Sequence, residues 1–278
     1  MPYLSIVIVT YNSRADLEEC LGSLTRDAPS MEHEIVVVDN ASTDGTPAVV
    51  RRRWPAVRVI DAGGNTGFAR ASNLGIRHSS SELVLLLNPD TMAPRGALDT
   101  LVAALDARGE AAIAGPRIVN TSGRAELSFG AMITPFAELR QKMLTLGNDR
   151  GWPLVVSWVD RQTRQTKLVD WVTGACLLIR RADLESVGLL DERFFMYTED
   201  VDLCAAVRAR GRSVLFVAEA QIVHARGRSA ASTLIATREA YRRSRLAFYE
   251  KHLPAWAPVL KAYLKIGGRL PDTTRQGQ

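Results

Sequence analysis

The sequence has few cysteines, few aromatic residues and no long apolar run. The three cysteines (Cys20, Cys176 and Cys204) lack the spacing of metal ligands, which predicts buried thiols in a reducing compartment rather than a disulfide framework. No apolar stretch approaches the roughly 20 residues of a membrane-spanning helix, and no charged and apolar leader opens the chain. We therefore expect a cytoplasmic globular protein.

Two phosphate-binding signatures are also missing. No GxxxxGK(S/T) segment occurs, which excludes a P-loop. The glycine-rich segment at residues 63–67 follows the third predicted strand rather than the first, and it lacks the GxGxxG spacing. A dinucleotide-binding fingerprint is therefore excluded as well.

Acidic residues are scarce towards the end of the chain. From His224 onwards there are eleven Lys or Arg and three Asp or Glu, a local charge of +8, whereas the whole chain carries +5. This imbalance predicts a basic helical region at residues 224–278 that contacts an anionic surface. Because the interleaved aromatics of a nucleic-acid motif are missing, we expect a membrane as that surface and no nucleic acid as a partner.

What the sequence does contain is a regular alternation of strand and helix patterns. Continuous apolar runs, typical of strands buried on both faces, occur at residues 4–10, 34–39, 57–60, 83–87 and 111–115. With helical spacing between them, they predict an α/β fold with a doubly wound, mostly parallel sheet. Further strands are predicted at 168–179 and 213–217, and helices at 230–252 and 254–266. The weakly periodic residues 121–167 are predicted to form a partly mobile insertion over the site.

Polar clusters follow the first strands at the points where they end. In doubly wound sheets, ligands bind beyond the carboxyl ends of the strands. The clusters are Thr10, Tyr11 and Asn12, then Asp39 and Asn40, then Asn65 and Gly67, and finally Asn88 and Asp90. Because all of them lie at this one edge, they predict a site for a nucleotide-type ligand.

Asp90 ends the most apolar strand behind a proline, and His224 also follows an apolar strand. A lone aspartate at a strand end is more often a helix cap than a ligand. The two side chains can instead face one cation at the carboxyl edge, with diphosphate oxygens completing its shell. Such ligation suits Mg²⁺ or Mn²⁺.

Three carboxylates, Glu199, Asp200 and Asp202, lie within four residues at the predicted start of a helix. An acidic first turn stabilises a helix through its exposed N–H groups and its dipole, without any catalytic role. The alternative is a general base beside the preceding aromatic run, with at least one pKa raised by like-charge repulsion.

Six motifs in this order resemble those of inverting family 2 glycosyltransferases with the GT-A fold. They are Val9-Thr10-Tyr11-Asn12, Val38-Asp39-Asn40-Ala41-Ser42, Asn65-Thr66-Gly67-Phe68, Asn88-Pro89-Asp90, Thr198-Glu199-Asp200-Val201-Asp202 and His224. The resemblance spans roughly residues 3–250. The forms Asn-Thr-Gly-Phe-Ala and Asn-Pro-Asp are similar to the rhamnosyltransferase branch, which uses dTDP-L-rhamnose and lipid-linked acceptors.

The resemblance implies a role for each matching residue, beginning with the donor. Asp39 and the backbone at residues 10–12 would hold the pyrimidine and the ribose, and Asn65 and Asn73 would border the nucleotide. Residues 1–115 would then form the nucleotide-sugar half of a GT-A domain that spans residues 1–223.

The acceptor half would be residues 116–223. There Asp200 would deprotonate the acceptor hydroxyl in a single inverting displacement. Glu199 and Asp202 would orient either Asp200 or the acceptor. Trp171 and Gly174 would shape the acceptor side.

Asp90 and His224 would ligate the metal, Mg²⁺ or Mn²⁺. Two positions depart from the family pattern. Many relatives have a second aspartate where Asn40 stands, which affects the contact expected with the base N3–H. Asn88 stands where the first aspartate of the family's DxD motif would be, which leaves fewer negatively charged ligands for the metal.

We therefore expect an enzyme that moves a sugar from a dTDP or UDP sugar, with dTDP-L-rhamnose favoured, to a glycan or polyprenyl-linked saccharide. One alternative is a family member that transfers GlcNAc, Gal or Glc from UDP. Another is a catalytically silent protein that binds nucleotide sugars or glycans; Asp200 argues against it, since a binding protein needs no base. The basic C-terminal region predicts peripheral attachment to the inner face of the plasma membrane.

Overall fold

The computed structural model describes residues 2–225 and 234–271, with the backbone alone described at 234–237. Strands in these residues are β1 (Leu4–Thr10), β2 (His33–Asp39), β3 (Arg58–Asp61), β4 (Leu83–Leu87), β5 (Thr91–Met92), β6 (Ala111–Val119), β7 (Phe129–Gly130), β8 (Lys167–Val169), β9 (Trp171–Val172), β10 (Cys176–Arg180) and β11 (Ser213–His224). Helices are α1 (Arg14–Arg26), α2 (Thr46–Arg53), α3 (Phe68–Arg77), α4 (Ala97–Asp106), α5 (Pro135–Asp149), α6 (Pro153–Gln162), α7 (Arg181–Ser186), α8 (Glu199–Ala209), α9 (Leu234–His252) and α10 (Ala257–Ile266).

Nine of the described strands form one sheet, in the order β3-β2-β1-β4-β10-β6-β11-β5, with β8 also paired to β11. Strand β1 is parallel to β2 and β4, β2 is parallel to β3, and β6 is parallel to β11. Strand β10 is antiparallel to both β4 and β6. The predicted mostly parallel sheet is confirmed, with β10 as an antiparallel member in its middle.

Alternate residues of β1 belong to two separate cores. Ile6 and Ile8 pack with Leu17 of α1 on one face of the sheet, whereas Val7 packs with Ile76 of α3 on the other. Each such side chain contributes about 1.5–3 kcal/mol when fully buried. Because both faces are covered, all seven residues of β1 are buried, which is why all of them except Ser5 and Thr10 are apolar. The three cysteines are buried free thiols, as predicted.

The segment 121–167 contains more regular structure than its sequence predicts. Helices α5 and α6 pack against each other there, and β7 pairs with β9. On α5, Phe136, Leu139 and Met143 are 76%, 62% and 51% exposed. The apolar residues of α5 therefore do not form a face that packs on the main core. For this reason their spacing in the sequence did not predict the helix.

Helices α9 and α10 pack on the rest of the chain through a core of their own. Phe248 and Leu260 join Phe194 and Val201, so these helices cover the start of α8. The predicted beginning of the first helix, at residue 230, lies outside the described residues. None of the helices in 2–225 and 234–271 combines the length and the apolar composition needed to cross a bilayer.

Several basic residues of the predicted basic region are paired with carboxylates. Arg245 pairs with Glu138 at 2.6 Å, and Lys251 contacts Asp202 at 2.8 Å. The remaining described pairs of this kind are Arg243 with Glu239, Lys251 with Asp191, and Lys261 with Glu250. The pairs of Arg245 and Lys251 hold α9 against the body of the chain. In contrast, Arg243–Glu239 lies within α9, and Lys261–Glu250 joins α10 to α9.

Candidate active site

The carboxyl ends of β1 and β2 are tied together by polar contacts. The Asn12 backbone N–H donates to Ser42 Oγ at 2.9 Å, and Asn12 Oδ1 accepts from the Thr43 N–H at 2.7 Å. Asn12 has a φ of +49°, which asparagine tolerates better than most residues. Thr10 is buried beside this loop, and Tyr11 is 46% exposed. The loop predicted to contact a nucleotide is therefore fixed in place with its aromatic ring open to solvent.

Asp39 lies at the end of β2 and is almost fully buried. Its Oδ2 accepts from the Ser42 N–H at 3.1 Å, whereas its Oδ1 is buried without a hydrogen-bond partner among the described residues. An unpaired buried carboxylate oxygen is costly and is normally satisfied by a ligand or water. Asp39 is therefore well placed to accept a hydrogen bond from a bound nucleotide.

Asn40 supports the neighbouring turn instead of facing an open space. Its Nδ2 donates to Asn65 Oδ1 at 3.0 Å and to the Gly67 carbonyl at 3.3 Å, and its Oδ1 accepts from the Thr66 N–H at 2.9 Å. Asn40 is 3% exposed. Both ends of its amide are thus occupied, so Asn40 positions the 65–67 turn and is not a free partner for a base.

Gly67 connects this turn to the acidic helix α8. Its φ of +83° and ψ of 175° lie in a region that only glycine adopts readily, and an added Cβ would stand 2.4 Å from the Phe195 carbonyl oxygen. The Phe68 N–H donates to that same oxygen at 2.6 Å. Tyr197 and Thr198, which follow, both have positive φ, so the entry to α8 is held in a strained conformation.

Asn73 was predicted to border the nucleotide, and the structure gives it other partners. Its Nδ2 donates to the Leu190 carbonyl at 2.9 Å and to Glu192 Oε1 at 3.0 Å, and its Oδ1 accepts from the Leu190 N–H at 3.1 Å. The side chain is buried. Asn73 therefore anchors the loop before α8, and its amide has no remaining donor for a nucleotide.

Asp90 and His224 lie together at the carboxyl edge, as predicted. Asp90 Oδ1 is 3.2 Å from His224 Nε2, and Glu126 Oε2 is 3.6 Å from His224 Nδ1. Burial lowers the pKa of His224, but its hydrogen bond with Asp90 and the negative charges of Asp90 and Glu126 outweigh burial and raise the pKa to about 9. Asn88 is fixed nearby through its N–H, which donates to the Ala175 carbonyl at 2.9 Å. Glu126, a single glutamate in a weakly periodic stretch, gave no signal in the sequence.

The Asp90–His224 pair fits one divalent cation. Two neighbouring ligands of an octahedral ion with bonds of about 2.1 Å lie about 3 Å apart, close to the observed separation. A carboxylate beside the other imidazole nitrogen, here Glu126, is the usual partner of a metal-bound histidine. Among the described residues, no cluster of three or more His, Cys, Asp or Glu could hold a metal. Diphosphate oxygens and water would therefore have to supply the other ligands.

Asp200 is held by two backbone N–H groups. Its Oδ2 accepts from Gly174 at 2.7 Å and its Oδ1 from Val201 at 2.8 Å. Burial raises the pKa of Asp200, and these hydrogen bonds act against burial. A Cβ at Gly174 would stand 3.3 Å from Asp200 Cβ, so a larger residue there would crowd the carboxylate. Gly174, which was predicted to shape the acceptor side, is thus in direct contact with Asp200.

Glu199 is the most isolated of the three carboxylates. It is 6% exposed, and its Oε2 is buried without a hydrogen-bond partner in the described residues. Burial first, and then repulsion from Asp200 and Asp202, raise its pKa well above the ordinary value. The sequence predicted a raised pKa from crowding, whereas the larger cause is burial.

Asp202 faces away from this site. Its Oδ2 lies 2.8 Å from Lys251 Nζ and its Oδ1 lies 2.6 Å from His252 Nε2, and its side chain is almost fully buried. Both carboxylate oxygens are therefore used to fix the end of α9. The prediction that Asp202 orients the acceptor is corrected, because Asp200 and Asp202 are two positions apart on a helix, about 200° around its axis, so their side chains point in different directions.

A cavity of about 220 Å³ opens in front of Asp200, which we call the acceptor cavity. Trp171 and Tyr197 line it beside Asp200, and Trp171 is held by its Nε1–H, which donates to the Ala131 carbonyl at 2.8 Å. Helices α5 and α9 supply much of the remaining wall, including the buried Glu138. The predicted aromatic wall is present, and the contribution of α5 was missed because a buried glutamate in an exposed helix has no sequence signature.

The model of the family described as "Glycosyl transferase family 2" matches residues 5–188 of this chain. The chain is 29% identical over 274 residues to "N-acetylglucosaminyl-diphospho-decaprenol L-rhamnosyltransferase" of Mycobacterium tuberculosis, covering 94% of this chain and 89% of the relative. It is 31% identical over 229 residues to "Low-salt glycan biosynthesis hexosyltransferase Agl10" of Haloferax volcanii, covering 80% of this chain and 66% of the relative.

Solved structures resemble the fold over nearly the whole chain. One is the mannosyltransferase PcManGT from Pyrobaculum calidifontis in complex with GDP-Man and Mn²⁺, with a TM-score of 0.62 and 21% identity over 94% of this chain and 69% of that one. Another is GalNAc-T7 with UDP, GalNAc and Mn²⁺, with a TM-score of 0.65 and 17% identity over 94% of this chain and 51% of that one. The predicted GT-A fold is confirmed.

Proposed function

Because the chain belongs to glycosyl transferase family 2, we propose that it moves a sugar from a nucleoside diphosphate sugar to a hydroxyl group of a glycan or lipid-linked saccharide, with inversion. The observation that carries the proposal is the position of Asp200. Its carboxylate is fixed by the Gly174 N–H at the wall of the acceptor cavity. A hydroxyl group that enters this cavity meets an immobile proton acceptor, which is what a general base requires.

Asp200 acts as that base in a single displacement. The acceptor oxygen forms a bond to the anomeric carbon while its proton moves to the Asp200 carboxylate. The bond between the anomeric carbon and the nucleoside diphosphate breaks in the same step, and the diphosphate leaves with the electron pair. The raised pKa of Asp200 favours this transfer, since a more basic carboxylate holds the proton more strongly.

Asp90 and His224 would hold Mg²⁺ or Mn²⁺ beside the diphosphate. When bound, the cation supplies positive charge that stabilises the leaving group. Glu126, next to His224 Nδ1, keeps Nε2 directed at the position of the ion. Mn²⁺ in the two solved neighbours supports a divalent metal in this role.

The donor is proposed to be a dTDP or UDP sugar, with dTDP-L-rhamnose favoured. The unpaired Asp39 Oδ1 is an acceptor for an N–H or O–H group of a pyrimidine or ribose. The likeness to the L-rhamnosyltransferase supports rhamnose, and UDP in a solved neighbour keeps UDP sugars as the alternative.

A thermal-shift panel tests the donor. We expect dTDP and UDP, and their sugars, to raise the melting temperature, with a larger shift when Mn²⁺ or Mg²⁺ is present, because a ligand that binds only the folded state stabilises it. Asp39→Asn should reduce the shift for every pyrimidine nucleotide. Stabilisation by GDP-mannose, with none by dTDP or UDP, would contradict both the pyrimidine and the rhamnose assignments.

The chain is further proposed to work at an anionic membrane surface, where a polyprenyl-linked acceptor would be presented. On α10, Tyr263 and Ile266 are 58% and 90% exposed beside Lys265. Such amphipathic helices lie on membranes, and each basic residue near an anionic surface is worth about 1 kcal/mol.

Sedimentation with vesicles tests this surface role. We expect binding to phosphatidylglycerol vesicles at low salt and weaker binding at high salt, because the attraction to the surface is screened. Equal binding to neutral phosphatidylcholine and anionic vesicles, or no binding to either, would contradict it.

A further inference from the structure

A second cavity, of about 410 Å³, adjoins the acceptor cavity, and we call it the cationic pocket. It shares Tyr197 and Tyr241 with the acceptor cavity. Helices α5, α9 and α10 line it, together with the chain that follows α10. Its charged lining residues are Lys142, Arg238, Arg242, Arg245 and Arg269.

Only part of this positive charge is neutralised within the chain. Glu138 lies 2.6 Å from Arg245 Nε and 2.9 Å from Lys142 Nζ. In residues 2–225 and 234–271, no carboxylate pairs with the other three arginines, and no acidic side chain lines the pocket. Guanidinium groups present a planar set of N–H donors that binds phosphate oxygens in pairs. The pocket therefore favours an anion, and phosphate fits its donors best.

Two helices that line the cationic pocket also expose apolar faces. Leu139 and Met143 of α5 are 62% and 51% exposed, and Val259 and Tyr263 of α10 are 57% and 58% exposed. In each pair, a spacing of four residues places both side chains on one face of the helix. Exposed apolar faces of this kind mark surfaces that bind a partner. Beside a cationic pocket, the partner with matching chemistry has an anionic group joined to an apolar chain.

We propose that the cationic pocket binds the phosphate groups that join the acceptor sugar to its lipid carrier. The inference rests on the proposed transferase function and specifies its substrate. The sugar hydroxyl occupies the acceptor cavity at Asp200, the phosphates occupy the adjoining pocket, and the lipid chain lies along α5 and α10. Arg242 and Arg238, one helical turn apart on α9, contribute most, because no carboxylate of the described chain competes with the phosphate for them.

A calorimetric titration with geranyl diphosphate, a short lipid diphosphate without a sugar, tests the pocket directly. Saturating dTDP or UDP and Mg²⁺ are present, so the donor site and the Asp90–His224 pair are filled before the titration. We expect the wild-type chain to bind this probe. The double variant Arg238→Gln/Arg242→Gln should weaken binding at least tenfold, since two charged donors to phosphate are lost.

The matched control is Arg51→Gln/Arg52→Gln, which removes the same charge from the exposed end of α2, a helix that does not line the pocket. It should change the dissociation constant less than twofold. If the α9 double variant fails to fold, Arg269→Gln replaces it, because this residue follows α10 and lines the pocket from outside any helix. Its expected loss in affinity is about threefold or more.

Three outcomes would overturn the proposal. They are no binding by the wild-type chain, equal losses in the α2 and α9 variants, and equal affinity for inorganic pyrophosphate and geranyl diphosphate. In the last case the pocket would be a general phosphate site without a lipid-linked ligand. A loss of phosphatidylglycerol binding in the α9 variant, without geranyl diphosphate binding by the wild type, would assign the arginines to the membrane surface. Because the titration needs neither donor sugar nor turnover, its failure is distinct from failure of the transferase activity.

Discussion

Replacing Asp200 by Asn is expected to lower the rate of sugar transfer about 10²–10⁴-fold while leaving donor binding near the wild-type level. Asparagine keeps the shape of the side chain and an oxygen that accepts from the Gly174 N–H. It cannot take a proton from an acceptor hydroxyl at neutral pH. The loss therefore appears in kcat, because the missing interaction acts on the reacting proton.

The control for this variant is Asp202→Asn, two residues further along the same helix. Asp202 contacts Lys251 and His252 rather than the acceptor cavity, so this variant should lower the free energy of unfolding and change kcat by no more than about threefold. The measurement is initial rate against acceptor concentration for both variants. A near-normal kcat in Asp200→Asn would remove Asp200 from the role of base.

The pH dependence of kcat provides a second check on the same residue. Burial raises the pKa of Asp200, and the base must be unprotonated to work. Activity should therefore fall as the pH drops through this raised pKa, at a higher pH than an ordinary aspartate would give. In Asp200→Asn this acid limb should disappear from the residual activity.

The second large effect is expected at Asp90. Asp90→Asn should lower kcat/KM about 10²-fold and weaken the dependence on Mn²⁺ or Mg²⁺, because the side chain loses the charge that holds the cation beside the diphosphate. His224→Ala should act in the same direction, and the double variant should lose less than the product of the single losses if both bind one ion.

The measurement for this pair is activity over a metal titration, with donor binding followed in parallel. Excess EDTA should lower both donor affinity and turnover of the wild-type chain. Full activity in excess EDTA would contradict the metal assignment. The test is informative because Asn88 stands where an aspartate would provide a further charged ligand. Glu126→Gln removes only the charge of the carboxylate beside His224 Nδ1. This variant should lower the activity about tenfold.

The sheet could be predicted because its strands are buried on both faces. Strand β4 is a continuous apolar run for this reason, β1 and β2 are apolar over most of their length, and the polar residues at their ends mark the ligand edge. The direction of β10 could not be predicted, because Cys176–Arg180 has the same apolar pattern in a parallel or an antiparallel strand. Direction depends on the path of the connection, which the residues of the strand do not encode.

The role of a site residue could be predicted where its side chain lies at the end of a strand. It could not be predicted where the role depends on the direction in which a helical side chain points. Asp90 and His224 meet because His224, the last residue of β11, pairs with the first residue of β5, directly after Asp90. Asn73 and Asp202 belong to helices, where a shift of one residue turns the side chain by about 100°, and both point to structural partners. Glu126 is an isolated carboxylate, whose importance appears only once the fold brings it to the imidazole.

The central claim is that this chain transfers a sugar by a single displacement with Asp200 as base. The most direct test is the anomeric configuration of the product, read by NMR from the coupling constants of the transferred sugar. The account predicts a configuration opposite to that of the donor, since the acceptor oxygen attacks as the diphosphate leaves from the other face. Retention of the donor's configuration would require two displacements and would contradict the account.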